Sequence, residues 1–145
     1  MDYRPEIEQR KGKDYILCVW RRKYVRLTPE EWVRQQFLHG LVEDFGYPQS
    51  LIAVEAPITV GEVQKRCDAI IYDAHINPLC IVEFKAPTVP LTQKVFDQVA
   101  VYNRRVGVRY FFLSNGRSHR ACRVLENSYE PLPNIPLYTE LCQNT

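Results

Sequence analysis

The hydrophobic pattern changes period along the chain, and each change marks an element. Residues 2–13 are polar, interrupted by Pro5 and Gly12, with no clear period, and read as a surface arm. Two short runs rich in apolar and aromatic residues, 15–20 and 24–27, flank Arg21-Arg22-Lys23 and predict a hairpin with a basic tip. The period then becomes helical: Val33, Phe37, Leu41 and Phe45 recur every fourth residue, with Trp32, Leu38 and Val42 beside them, giving one apolar stripe. Thr28 as N-cap, Pro29 at the first helical position and Glu31 completing a capping box start this helix. Gly46, with Pro48 just beyond, ends it.

From residue 51 the alternation returns. Residues 51–60 predict a strand broken near Pro57 and turned at Gly61. Two runs rich in Ile, Val and Tyr then flank a turn at Asn77 and Pro78, which signals a central hairpin between residues 66 and 85. Residues 92–106 are helical again, with Val95, Val99, Tyr102 and Val106 along one stripe. A strand at 109–113 ends at Ser114-Asn115-Gly116, residues 121–125 add an edge strand, and the Pro-rich residues 127–145 read as a tail along the body. The crossover from residue 83 through the second helix to residue 111 predicts a parallel pairing with a right-handed connection. The expected fold class is therefore α/β, a mixed β-sheet flanked by helices in the order αβββαβ, preceded by an N-terminal β-hairpin. One domain is expected over residues 1–145, with the arm and hairpin at 1–27, the core at 28–116 and the edge strand and tail at 117–145.

Composition adds limits more than identity. Nearly half the residues, 46%, are hydrophobic, enough for a real core. The net charge is only +2, so any nucleic-acid contact must come from a local patch and not from the field of the whole molecule. Five cysteines without a C-x-x-C pair read as free thiols in a reducing cytoplasm, ahead of zinc or disulfides. The charged first ten residues lack the apolar core of a signal peptide, and no run approaches membrane-spanning length. A cytoplasmic protein without membrane contact is expected.

Candidate chemistry sits in the central hairpin, which carries ionisable groups inside the most apolar segments. Alternation places Glu83 and Lys85 on one face of their strand. An antiparallel register with Tyr72 opposite Leu79 also sets Asp68 opposite Glu83, where Cβ atoms are about 4.5 to 5.5 Å apart. Like charges so close repel unless a cation lies between them, and a hard divalent ion takes oxygen ligands at about 2.0 to 2.1 Å for magnesium.

Arg66-Cys67-Asp68, a hydrophobic strand and then Glu83-Phe84-Lys85 resemble the core of the PD-(D/E)xK nucleases, here with Cys67 where the motif has Pro. With Lys85-Ala86-Pro87, and with Gln98 and Tyr102 forming a Gln-x-x-x-Tyr motif, the chain looks most like the N-terminal nuclease domain of type I restriction enzyme R subunits. The resemblance implies a restriction-endonuclease-like core and a Mg²⁺- or Mn²⁺-dependent deoxyribonuclease. Asp68, Glu83 and the backbone carbonyl of Phe84 would hold the ion, and Lys85 would orient or deprotonate the attacking water. Gln98 and Tyr102 would stand beside the site, with Glu31 and Glu55 as further acidic candidates. DNA contacts are expected from Arg21, Arg22 and Lys23 at the hairpin tip and from Arg104, Arg105 and Arg117, with other restriction-modification or repair subunits as possible partners. A G-x-x-x-x-G-K-[ST] loop is absent, so the ATP-driven motor of a complete R subunit is not expected in this chain. The alternative is a catalytically silent DNA-binding or assembly module, since a fold does not fix an activity.

Overall fold

In the computed structural model, which describes residues 1–143, the chain forms two sheets and three α-helices. The N-terminal sheet comprises β1 (Ile7–Arg10), β2 (Lys13–Cys18) and β3 (Lys23–Arg26), antiparallel in chain order. It corrects the expected hairpin to three strands. Arg10 pairs with Lys13 across a two-residue loop in which Lys11 and Gly12 have φ of 49° and 76°, the positive values that suit the twist of a tight hairpin. With all four of its residues exposed, β1 has no hydrophobic alternation, and the expected arm hid it.

Helix α1 (Pro29–Phe45) is delimited as expected. The Thr28 hydroxyl accepts from the Glu31 amide at 3.1 Å, and Gly46 closes the helix at φ 74°. Val33, Phe37, Leu38 and Leu41 are buried under it, whereas Trp32 is 41% exposed. The buried face is wider than the apolar stripe, since Glu31, Arg34 and Gln35 are buried as well.

The larger sheet has six strands in chain order: β4 (Ile52–Val60), β5 (Val63–Tyr72), β6 (Pro78–Phe84), β7 (Tyr110–Ser114), β8 (His119–Val124) and β9 (Tyr129–Pro131). Helix α2 (Gln93–Val106), capped by Thr92 and Gly107, joins β6 to β7, which pair in parallel. Every residue of β7 is buried, the signature of a strand covered on both faces. The order α1, β4, β5, β6, α2, β7 is the expected αβββαβ. Pro57 does not break β4, which lies at the sheet edge where a missing N–H is tolerated.

Residues read as a tail contain β9 and helix α3 (Tyr138–Gln143), whose Leu141 is buried in the main core. The last two residues of that expected tail lie outside the described residues. Among the described residues no helix is long and apolar enough to cross a membrane. Among the described residues no disulfide forms, and Cys18, Cys67, Cys80 and Cys122 are buried.

Candidate active site

The site is a fork between two strands. Strands β5 and β6 pair with Ala69 opposite Val82, Ile70 opposite Ile81 and Ile71 opposite Cys80, the register that carries Asp68 toward Glu83. The expected pairing of Tyr72 with Leu79 does not form, because an irregularity after Ile71 sets Tyr72 opposite Pro78. Beyond Ala69 the ladder stops: β5 continues against β4 to Val63, and β6 continues against β7 to Ser114. At the crotch, the Asp68 carboxylate accepts the Phe84 amide at 2.7 Å, a side chain replacing the next rung.

A reversal of faces shapes the fork. Ala69 and Ile71 pack with the α1 side of the core, while Ile70 packs with the α2 side, as alternation requires. Cys67 and Ala56 also pack on the α2 side, so alternation slips by one step at Asp68 and at Glu55, the β4 residue between the pairs Val54–Ala69 and Ala56–Cys67. Glu55 has φ 53°, rare for a residue with a side chain, which supplies the local kink. In consequence Lys65, three residues from Asp68 and due on the opposite face of a regular strand, turns toward Glu83. Its Nζ lies 3.5 Å from Glu83 Oε1 and 4.2 Å from the centre of the Tyr102 ring. A small cleft of about 150 Å³ opens there, lined by Lys65, Glu83, Lys85, Val95, Gln98 and Val99.

Electrostatically the cleft is under-paired. Glu83 is 13% exposed, and burial, followed by the facing charge of Asp68, pushes its carboxyl up to about 7 against the pull of Lys65. Its Oε1 is buried without a hydrogen bond of good geometry, the Lys65 contact being long for one. The Tyr102 hydroxyl is also buried and unsatisfied, and burial with neighbouring Cys67 and Glu83 pushes it up to about 12. Cys67 forms the wall beside it, its thiol pushed by burial to about 11.

On the opposite face the charges are densely paired. The Arg34 guanidinium reaches the Asp68 carbonyl oxygen at 3.0 Å, Glu31 at 3.1 Å and Glu55 at 2.8 Å. Glu31 also takes Arg21 at 2.5 Å and Gln35 at 2.8 Å. Burial would raise the Glu31 carboxyl, but these hydrogen bonds and the two arginine charges hold it below the ordinary value. Glu31 and Glu55 are thus joined to the site through Arg34 and do not face the fork.

Asp68, Glu83, Lys85, Gln98 and Tyr102 are gathered at the fork, with Gln98 exposed on α2. The basic candidates divide. Arg21 is held by Glu31, and Arg104 donates to the carbonyls of Leu125 and Ser128 in the β8–β9 turn, so both serve the fold. Arg22, Lys23, Arg105 and Arg117 are exposed. Sequence reasoning passed over Lys65 and Arg34. Lys65 has the wrong parity on a regular strand, whereas Arg34 sits three residues from Glu31, a spacing that could have flagged an ion pair.

The donor set suits a hard cation. Two facing carboxylates, one with an orphaned buried oxygen, sit next to the Phe84 backbone. Among the described residues no group of three or more His, Cys, Asp or Glu side chains that could hold a metal ion comes together. The larger groove of about 510 Å³ beside α1 is lined by a single carboxylate, Asp44.

Known proteins share this fold. The family model of the type I restriction enzyme R protein N terminus matches residues 29–136. Among solved structures, the chain resembles a fragment of a proposed HsdR subunit of a type I restriction enzyme from Vibrio vulnificus YJ016, at 18% identity and a TM-score of 0.56. That match covers 81% of this chain and 26% of the other, so the chain spans about a quarter of that relative. It also resembles a DUF820 protein from Anabaena variabilis ATCC 29413 proposed to be a nuclease, at 12% identity and a TM-score of 0.53, covering 96% of this chain and 85% of that one. No curated protein matches the sequence.

Proposed function

The chain belongs to the family of type I restriction enzyme R protein N termini, and from that premise we propose that it is a metal-dependent deoxyribonuclease working at the β5–β6 fork. The observation that carries this reading is the pair of neighbouring carboxylates at the fork, Asp68 on the Phe84 amide and Glu83 lining the cleft with Lys85. A largely buried acid facing a second carboxylate is costly without a cation. Asp68, Glu83 and the Phe84 carbonyl would hold Mg²⁺ or Mn²⁺. Bound there, the ion supplies Lewis-acid stabilisation of charge on a phosphate.

The chain's own groups do the rest. Lys85 projects into the same cleft as Glu83, and its amide donates to the Ser114 carbonyl at 2.9 Å, which ties its backbone to the parallel strand β7. From that fixed base its ammonium orients the attacking water and balances charge on the phosphate. Gln98 and Tyr102, one turn apart on α2, stand over the fork; exposed Gln98 offers an amide to the DNA backbone, while Tyr102, its hydroxyl buried beside Cys67, holds its ring against the Lys65 ammonium. Arg22, Lys23, Arg105 and Arg117 are the exposed cations left to contact DNA. Other restriction-modification subunits are proposed partners, in keeping with the family.

The test separates binding from turnover. Asp68→Ala and Glu83→Ala are expected to fold normally and lose Mn²⁺ binding by calorimetry. Lys85→Ala should keep or slightly raise Mn²⁺ affinity while cleavage of plasmid DNA falls by about 10² to 10⁴. Unchanged Mn²⁺ affinity in both carboxylate variants would sink the metal site. A wild type that binds Mn²⁺ and DNA but cuts no DNA form would leave the catalytically silent module as the reading.

A further inference from the structure

We propose that Lys65 is a second phosphate-seating cation of the cleft, passing from Glu83 to a phosphate oxygen of the bound strand. The inference rests on the hydrolase reading for its substrate class, and its own evidence is geometric.

The kink at Glu55 and Asp68 brings Lys65 onto the α2 face, where it lines the same cleft as Lys85. A purely structural ion pair is expected to be short and hydrogen-bonded. This one is not: 3.5 Å separates Nζ from Glu83 Oε1, and the oxygen has no hydrogen bond of good geometry. The ammonium is instead held over the Tyr102 ring, a contact that orients a cation without consuming its three N–H donors. The side chain is 40% exposed at the mouth of the cleft, against 13% for Glu83, so Lys65 meets an entering strand before the carboxylates do.

The arrangement serves a polyanion that arrives with its own counter-charge requirement. Glu83 is the acid for which Lys65 and a divalent ion would compete. With an ion on that acid, the ammonium would be free to turn to a phosphate oxygen at the cleft mouth. Lys85 then serves the phosphate under attack and Lys65 a phosphate oxygen beside it, while Tyr102 keeps the Lys65 stem in place during the exchange. Lysine suits this role because its charge sits on a flexible stem with donors that can be redirected.

The experiment uses the full chain with Lys65→Met, which keeps the stem and removes the charge, and Lys65→Arg, which restores a cation. Binding of a fluorescent duplex is measured by anisotropy in Ca²⁺ across a salt series, and Mn²⁺ affinity by calorimetry. Lys65→Met should flatten the slope of log affinity against log salt by about 0.9, the share of one neutralised phosphate, and Lys65→Arg should recover most of it. Mn²⁺ affinity should be equal or tighter in Lys65→Met, since a competing cation is gone. A DNA titration of Lys65→Met identical to wild type overturns the proposal, as does a wild type that binds no DNA. So does a loss of Mn²⁺ affinity accompanied by a lower Tm, which marks Lys65 as a brace for Glu83 alone. The two readings fail separately. If the wild type cuts nothing yet Lys65→Met loses its unit of slope, the phosphate seat stands and the hydrolase falls; if Lys85→Ala abolishes cutting while Lys65→Met titrates as wild type, the reverse holds.

Discussion

Glu31 and Glu83 are both buried glutamates, one on each side of Asp68, yet their carboxyls move in opposite directions. Burial favours the neutral form of each. At Glu31 the hydrogen bonds from Arg21 and Gln35 and the charges of Arg34 and Arg21 overcome burial, and the carboxyl lies below its ordinary value. At Glu83 the facing Asp68 adds to burial, Lys65 is too distant to compensate, and the carboxyl rises to about 7. Burial alone therefore distinguishes nothing; partners decide. The α1 face spends its charges on one another and fixes the height of the Asp68 backbone, while the α2 face leaves acid and cation incompletely matched, the condition in which a ligand can enter.

The comparison can be broken at its centre by Arg34→Met. This variant strips Glu31 and Glu55 of the cation they share and frees the Asp68 carbonyl, which should cost about 3 to 5 kcal/mol. Thermal unfolding is expected to fall by roughly 10 °C; a change of a degree or two would show that the paired face contributes no stability.

Smaller, and pH-dependent, is Glu31→Gln. A carboxylate depressed in the folded state stabilises it above the ordinary value of 4.5 and loses that contribution as pH falls through the lower folded value. The variant should be less stable than wild type by about 2 kcal/mol at pH 7, and the gap should close in acid. A gap that stays constant from pH 7 down to pH 3 would mean that charge is not what Glu31 contributes.

Glu83→Gln sharpens the contrast because its sign is opposite. A carboxyl raised in the folded state gives stability below 4.5 that is lost as pH rises through about 7. Wild type should therefore weaken across that window while the glutamine variant does not, leaving the variant about 1 kcal/mol more stable at pH 8, a gain of the kind seen when a functional site is relaxed. Melting curves at pH 5 and pH 8 measure it, and equal stability at both pH values would remove the strain assigned to the fork.

Local chemistry explains what could be read in advance. Thr28 with Gly46, and Thr92 with the helical stripe after it, delimit both long helices because caps and period are written in adjacent residues. The parallel pairing of β6 with β7 followed from a crossover too long for a hairpin; the register near Asp68 was assumed, and it holds at Ala69 with Val82 although its anchor, Tyr72 with Leu79, does not form. Other features depended on tertiary context. Strand β1 has no apolar alternation, and β9 and α3 form in a segment whose prolines suggested a tail. The slip at Glu55 requires a positive φ that no propensity assigns to glutamate, and it alone determines whether Lys65 meets Glu83 or faces away. Arg34 lies outside the apolar stripe, so its burial became evident only when α1 covered more of the sheet than its hydrophobic residues required.

Cys67 gives this site a built-in clock. The thiol is fully buried between β5 and α2, beside the Tyr102 hydroxyl, and with its acidity suppressed to about 11 almost none of it is thiolate at neutral pH. An alkylating reagent can reach it only when the second helix lifts from the strand. The rate of mass gain at that residue, located by peptide mapping, therefore counts how often the roof over the fork opens. Any molecule that enters the cleft and presses α2 down should lengthen the interval between openings, whether or not it is ever cut.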